Sequence, residues 1–340
     1  MTIDKADVKK ILIIKFRGIG DVALACYTLG AIKSNFPQAK IHFMSESPSN
    51  PLLENIPLID EVLIAKLSDN LSTLKLIKAV RKEKYDLIFD FYTNPRSALI
   101  TFLSGAKYRA GFPYKGRKYA YNLFGPEERN LYHSAILHFK MLENCGIKLE
   151  NTGYEVIFDK SVVESSQKMI TQLDLKEFYI VVPGGGWQSK RCDPVKFAQF
   201  IDFINDKYQM PCLILWGPGD LPEAVEIEKL SNSKPVLAPK TDIVLMMSLF
   251  KQSKFVLSND SGPMHLAAAV GAPVLGLFGP TSPKMHGPYG SNNEWFRNEK
   301  LECIECNLLQ CPKNHECFLE MELSEFENKL NSFLAKNGII

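Results

Sequence analysis

The chain has 340 residues, 46% of them hydrophobic and 23% charged, with 40 Lys plus Arg against 38 Asp plus Glu and a formal net charge of +2. At roughly 150 residues per domain that length makes two domains. The mix excludes a disordered chain, a collagen-like chain and a coiled coil, and the balanced charge offers no general case for nucleic acid as a partner.

Taken in chain order, short apolar runs alternate with helical patterns. Residues 11–16 read as a strand, 22–34 as a helix, and 40–44 and 61–65 as strands. A helix at 71–84, a strand at 86–92, a helix at 96–104 and a strand at 107–112 follow. Residues 112–130 break the rhythm with four basic residues among aromatics, and an irregular loop of that length in a compact domain is usually functional. A helix at 131–145 ends at Gly146, and the polar stretch 149–155 reads as a linker. The alternation then restarts: strands at 178–182, 212–216, 255–258 and 273–278, with helices at 194–207, 221–230, 241–250 and 261–270. Residues 279–315 are irregular, and 323–336 form a closing amphipathic helix. Two successive halves of this kind predict an α/β protein of two Rossmann-like domains with parallel sheets facing a central cleft, spanning residues 1–150 and 151–322.

The longest apolar run, 266–279, is split by Pro273 and is shorter than the roughly 20 residues a bilayer core requires. The N-terminus, with Asp4 and Asp7 ahead of the short run 11–14, reads as a strand and not as a signal-peptide core. The expected location is therefore the cytoplasm, where disulfides are rare. Of eight cysteines, Cys26, Cys145, Cys192 and Cys212 are scattered and read as small buried hydrophobes. The other four, Cys303, Cys306, Cys311 and Cys317, have metal-like spacing, Cys-x2-Cys-x4-Cys-x5-Cys. A structural zinc site is the most concrete reading. An iron–sulfur centre, disulfides and free thiols stay open beside it.

Four strand-end turns carry candidate chemistry, because ligands of open α/β sheets bind at the carboxyl ends of the strands. The first, Lys15-Phe-Arg-Gly-Ile-Gly-Asp21, has Gly18 and Gly20 for close backbone approach but lacks the spacing of a dinucleotide-binding fingerprint. Asp21 is either a helix N-cap or a general base. The second, Val182-Pro-Gly-Gly-Gly-Trp-Gln-Ser-Lys-Arg191, is not a Walker A motif. It places the free amides around Gly185, the Ser189 hydroxyl and the Lys190 charge near an anion; an exposed glycine turn is the plain alternative. The third runs from Ser258 to Gly271. Asp260 or Ser261 caps a helix that continues through Gly262, Pro263, Met264 and His265, and its N-terminus is a ready phosphate site. The fourth, at Gly217 to Glu223, offers acids that can bond a ribose. No Asp-x-Asp pair suggests a catalytic divalent ion, so these lysines, amides and the helix dipole are expected to neutralise a diphosphate with no cofactor required for catalysis.

The segments Ile11-Leu-Ile-Ile-Lys-Phe-Arg-Gly-Ile-Gly-Asp-Val22, Pro-Gly-Gly-Gly-Trp-Gln-Ser-Lys190, Asn259-Asp-Ser-Gly-Pro-Met-His-Leu266 and Leu277-Phe-Gly-Pro-Thr281 resemble glycosyltransferase family 9, the lipopolysaccharide heptosyltransferases. The resemblance covers nearly the whole chain in order and departs at Cys192, where an aromatic residue is expected. It implies a GT-B fold, with the acceptor in the N-terminal domain, the nucleotide sugar in the C-terminal domain, and the 323–340 helix crossing back. It also implies Asp21 as base, Lys190 on the donor phosphates, and Asp260 to His265 on the donor. The implied reaction is an inverting transfer of heptose, or a related sugar, from an ADP-linked donor to a lipopolysaccharide-core or lipid A-linked acceptor at the inner membrane surface. Such acceptors are anionic, and Arg96, Arg109, Lys115, Arg117 and Lys118 are the candidates to bind them; Tyr114, Tyr119 and Tyr121 interleave and are positioned to pack on sugar rings. A sugar-nucleotide epimerase of the same architecture and a non-catalytic nucleotide-sugar binder are the alternatives.

Overall fold

The structure, a computed structural model, describes residues 2–66 and 69–340. It divides into two compact units, Met1–Ile157 and Phe158–Ile340. The first unit is built on β1 (Lys10–Ile14), β2 (Lys40–Ser45), β3 (Glu61–Ile64), β4 (Leu87–Asp90), β5 (Tyr108–Gly111) and β6 (Leu123–Phe124), ordered β3-β2-β1-β4-β5-β6. The second has β7 (Tyr179–Val182), β8 (Cys212–Ile214), β9 (Val236–Leu237), β10 (Val256–Asn259), β11 (Val274–Leu277) and β12 (Glu294–Phe296), ordered β12-β11-β10-β7-β8-β9. Every pairing is parallel. Counted from β7, the second sheet repeats the order of the first, so each unit is a doubly wound Rossmann sheet. Residues on both faces of the central strands β4, β7, β10 and β11 are buried, which is why these segments read as unbroken apolar runs.

In each sheet the order reverses between two neighbours, β1 and β4 in the first and β7 and β10 in the second. The segments leaving the carboxyl ends of those four strands begin at Lys15, Phe91, Pro183 and Asp260. Topology therefore selects three of the four turns named from the sequence, those after β1, β7 and β10, adds the segment after β4, and leaves the Gly217 turn, which follows β8, away from a switch point.

Several local expectations change. The helix over 22–34 is two helices, Ile19–Cys26 and Leu29–Asn35. Thr28 turns its hydroxyl back onto the Ala25 carbonyl at 2.7 Å, and the Tyr27 carbonyl accepts from Gly153 N–H at 2.8 Å instead of continuing the helix. The linker at 149–155 is a strap on the first unit: Gly30 N–H donates to the Gly153 carbonyl at 3.1 Å and Tyr154 Oη to the Ala23 carbonyl at 3.1 Å. A helix at Lys160–Gln172 escaped the sequence reading because Ser166 is its one fully buried residue. It docks partly through the Ser166 hydroxyl, 2.8 Å from that of Ser248. The closing helix, Leu323–Lys336, buries Phe326, Leu330, Phe333 and Leu334 in the second unit's core. The Phe326 ring stacks on Phe200 with centroids 3.9 Å apart.

Candidate active-site residues

In the second unit, the chain leaves β7 through Pro183 and three glycines. A Cβ on Gly184 would lie 2.4 Å from Asp220 Oδ2, so any larger residue there displaces the Asp220 carboxylate. Asn259 at the end of β10, fully buried, fastens this turn: its Nδ2 donates to the Pro183 carbonyl at 2.6 Å and its Oδ1 accepts from Cys192 N–H at 3.1 Å. Sequence reasoning quoted Asn259 without assigning it a role. Its polarity at the end of an apolar strand was the available signal.

The Lys190 ammonium lies 2.6 Å from Asp260 Oδ2 and 4.5 Å from the centroid of the Trp187 ring. Their side chains are 16% and 7% exposed, and Thr281 Oγ1 donates to the same Asp260 oxygen at 2.6 Å. Shielding from water at this depth strengthens the pair. The pair holds a cation beside the start of the helix Gly262–Ala269, with Ser261 as its N-cap residue and Pro263 in its first turn. Those amides and that ammonium can together take a diphosphate.

The other donor candidates divide. Ser189 is 2% exposed; its hydroxyl donates to the Leu308 carbonyl and its N–H to the Leu309 carbonyl, so it ties the turn to the late irregular segment. Met264 is fully buried, its sulfur 2.9 Å from where Gly276 would carry a Cβ. Its side chain fills the core rather than facing a ligand. His265 is buried in the first turn of the same helix. Arg191 links the remaining turns: it donates to the Gly185 carbonyl at 2.9 Å and pairs with Asp220 at 3.0 Å and Glu223 at 2.7 Å. Burial raises the Glu223 carboxyl and the Arg191 charge opposes that rise. The acids near Gly217 are thus both already engaged by one arginine.

In the first unit, the turn after β1 leaves Gly18 at φ +62, where a Cβ would also lie 2.9 Å from Asp21 Oδ2. Gly18 is the N-cap residue and Asp21 stands in the first helical turn, so Asp21 is not the cap. Its side chain is 53% exposed and 3.5 Å from the ammonium of Lys15, which is itself buried. Gly20 is buried beneath it. This is an acid open to a substrate with a fixed cation behind it.

Beside this turn, Asp90 ends β4 in register with Ile14. It is fully buried, accepting from Tyr121 Oη at 2.7 Å and Thr93 N–H at 2.7 Å, and burial raises its carboxyl. Tyr121 is therefore a buried partner of Asp90 and not a ring free to pack on sugar. Arg109 is likewise engaged, donating to the Ala120 and Ala106 carbonyls at 3.1 and 2.7 Å. Arg117 lies 5.2 Å from the Tyr114 centroid, and Arg129, absent from the sequence candidates, lies 4.8 Å from Phe112 and 5.0 Å from Tyr114. Lys115 is exposed with φ +51, Lys118 is exposed over Phe124, and Arg96 is in the first turn of the helix Pro95–Leu103. Burial, and then the Lys15 and Arg129 charges, lower the pKa of the buried His138 imidazole.

The four late cysteines line one small cavity. Among the described residues, no three thiols, imidazoles or carboxylates already stand as a metal-ligand set.

Residues 73–316 match glycosyltransferase family 9 (heptosyltransferase). A putative glycosyltransferase of Haemophilus influenzae is 23% identical over 339 residues, covering 95% of each chain. Lipopolysaccharide heptosyltransferase 3 of Escherichia coli is 27% identical over 293 residues, covering 80% of this chain and 83% of that one. The crystal structure of a family 9 glycosyl transferase from Veillonella parvula superposes with a TM-score of 0.85 at 19% identity, over 98% of this chain and 99% of the other. That of Escherichia coli ADP-heptose lipopolysaccharide heptosyltransferase II gives 0.76 at 20% identity, over 97% and 99%. The fold shared with these structures is GT-B.

Proposed function

The chain belongs to glycosyltransferase family 9, the heptosyltransferases, and from that premise we propose that it moves heptose, or a related sugar, from an ADP-linked donor to a lipopolysaccharide-core acceptor with inversion at the anomeric carbon. The second unit holds the donor. The observation that carries this reading is the shielded Lys190–Asp260–Thr281 network at the β7/β10 switch point. An incoming diphosphate competes with Asp260 for the Lys190 ammonium and takes the free amides of the Ser261 helix start.

The first unit supplies the base. Asp21 accepts the proton of the acceptor hydroxyl. The oxygen attacks the anomeric carbon from the face opposite the diphosphate, the bond between that carbon and the diphosphate oxygen breaks, and the nucleoside diphosphate leaves with the electron pair. Lys190 and the helix amides stabilise that leaving charge, and bound orientation supplies much of the remaining acceleration. This scheme takes no metal or cofactor. Arg117, Arg129, Lys115, Lys118 and Arg96 face the anionic part of the acceptor, with Tyr114 close to two guanidiniums. A lipid-linked acceptor brings the enzyme to the inner face of the cytoplasmic membrane as a peripheral protein; no described helix is long and apolar enough to cross it.

The test is Asp21→Asn. General-base assistance is worth about 10²- to 10⁴-fold, so transfer from ADP-heptose falls by that factor while ADP binding by calorimetry is unchanged. Wild-type turnover in the variant removes Asp21 from the mechanism.

A further inference from the structure

The second unit holds a cavity of about 20 Å³ walled by Cys303, Cys306, Cys311 and Cys317. All four are free thiols. They reach the same cavity from a turn at 303–306, an isolated position at 311, and the short helix Glu316–Leu319, so the chain has folded three separate pieces around one point. Gly279 also lines the cavity, and a Cβ there would lie 2.6 Å from Cys317 Sγ, so a larger residue would crowd that thiol. The segment bends sharply, with Glu305, Asn307 and His315 all at positive φ, conformations that cost non-glycine residues free energy. Little regular structure repays that cost: residues 297–315 contain no helix or strand.

We propose that these four cysteines bind one divalent transition-metal ion, zinc or ferrous iron, as a tetrahedral tetrathiolate. Soft thiolates select such ions. A space of this volume admits about one water-sized sphere, which suits a single ion held by four sulfurs. The sulfurs now line the cavity without forming a ligand set, so binding draws them inward to about 2.3 Å from the metal and releases their protons to solvent. Lys313 and Glu316, also in the wall, pair with each other at 3.7 Å.

The site also has a consequence for the donor turn, a step that rests on the donor reading above. Leu308 and Leu309, between Cys306 and Cys311, supply the two carbonyls that hold Ser189, the residue before Lys190. A bound ion therefore staples the support of the Lys190 turn.

The test is metal analysis of anaerobically purified protein, followed by replacement of the ion with cobalt(II). One equivalent of zinc or iron per chain, without acid-labile sulfide, and the intense visible absorption of cobalt in a tetrahedral tetrathiolate are expected; the metal analysis separates zinc from iron. The double variant Cys303→Ser, Cys306→Ser loses both signals. If that variant fails to fold, the cobalt spectrum of the wild type and the exposure of four thiols on chelation decide instead. Metal-free protein with four freely reacting thiols, disulfides among the four in a peptide map, or several irons with sulfide would overturn the proposal. ADP binding separates the two readings. Affinity that falls several-fold when the ion is removed supports the staple, and unchanged affinity refutes it. Metal-loaded protein that ignores ADP refutes the donor reading and leaves the metal result standing.

Discussion

Lys190 and Asp260 show how one residue pair can serve both folding and chemistry. Their charges are too shielded to be left single, because removing one partner of a buried pair strands the other. Lys190→Gln is expected to lower transfer by about 10²- to 10³-fold, the range seen when one donor to a developing negative charge is lost, and to weaken ADP binding. Steady-state kinetics beside calorimetry measure both, and unchanged values in the two assays contradict the donor role. His138 gives a pH signature. Burial, and then the Lys15 and Arg129 charges, push its imidazole well below the ordinary value, so the folded protein keeps it neutral. The unfolded chain protonates it below about pH 6.5, so its stabilising contribution is present above that pH and is lost as pH falls below it. Urea midpoints between about pH 5 and 8 should therefore drop less steeply on the acid side in His138→Gln than in wild type; equal slopes would mean His138 titrates freely. The partners of Asp90 and Arg129 were illegible at this scale. The acid that ends β4 stands out in an apolar run, as Asn259 does, but a sequence does not reveal that Tyr121 reaches back to it, nor that Arg109 is occupied by carbonyls while Arg129 lies against rings.

At the scale of elements, what could be read followed from burial. Strands covered on both faces announce themselves as apolar runs, and the glycine turns that follow β1 and β7 mark a switch point in each sheet. Elements docked by other means escaped: the helix Lys160–Gln172 engages partly through serine hydroxyls, and β6 and β9 have two residues each. Whether Asp21 capped its helix was likewise undecidable from spacing, since Asp suits either place and the answer lay in the positive φ of Gly18. Gly30 offers an element-level test. A Cβ there would lie 1.9 Å from the Asn151 carbonyl oxygen, backbone against backbone, so the strap or the helix must shift. Gly30→Ala is expected to destabilise the protein by about 1–3 kcal/mol, as overpacking does, read as a lower midpoint in chemical denaturation. A midpoint equal to wild type would show that the strap is loosely held.

At the scale of the molecule, two sheets of identical order and one family define the protein, and each unit's chemistry is confined to the strand ends its own topology selects. The composition suggested a boundary near residue 150. Yet 149–155 is polar because it lies on the surface of the first unit while bonded to it, and polarity alone does not distinguish a strap from a tether. Ile157 N–H still donates to the Asn55 carbonyl at 2.9 Å, and the Asp159 carbonyl already accepts from Val162 and Val163 at the start of the next helix. Only Phe158 separates these two anchorages. Limited proteolysis should therefore spare 149–155 in the native protein, and rapid cleavage there would contradict the strap. The practical corollary concerns anyone wishing to produce the halves separately. A first fragment ended at residue 150 would lack the backbone that covers Gly30, whereas one extended through Ile157 would retain it.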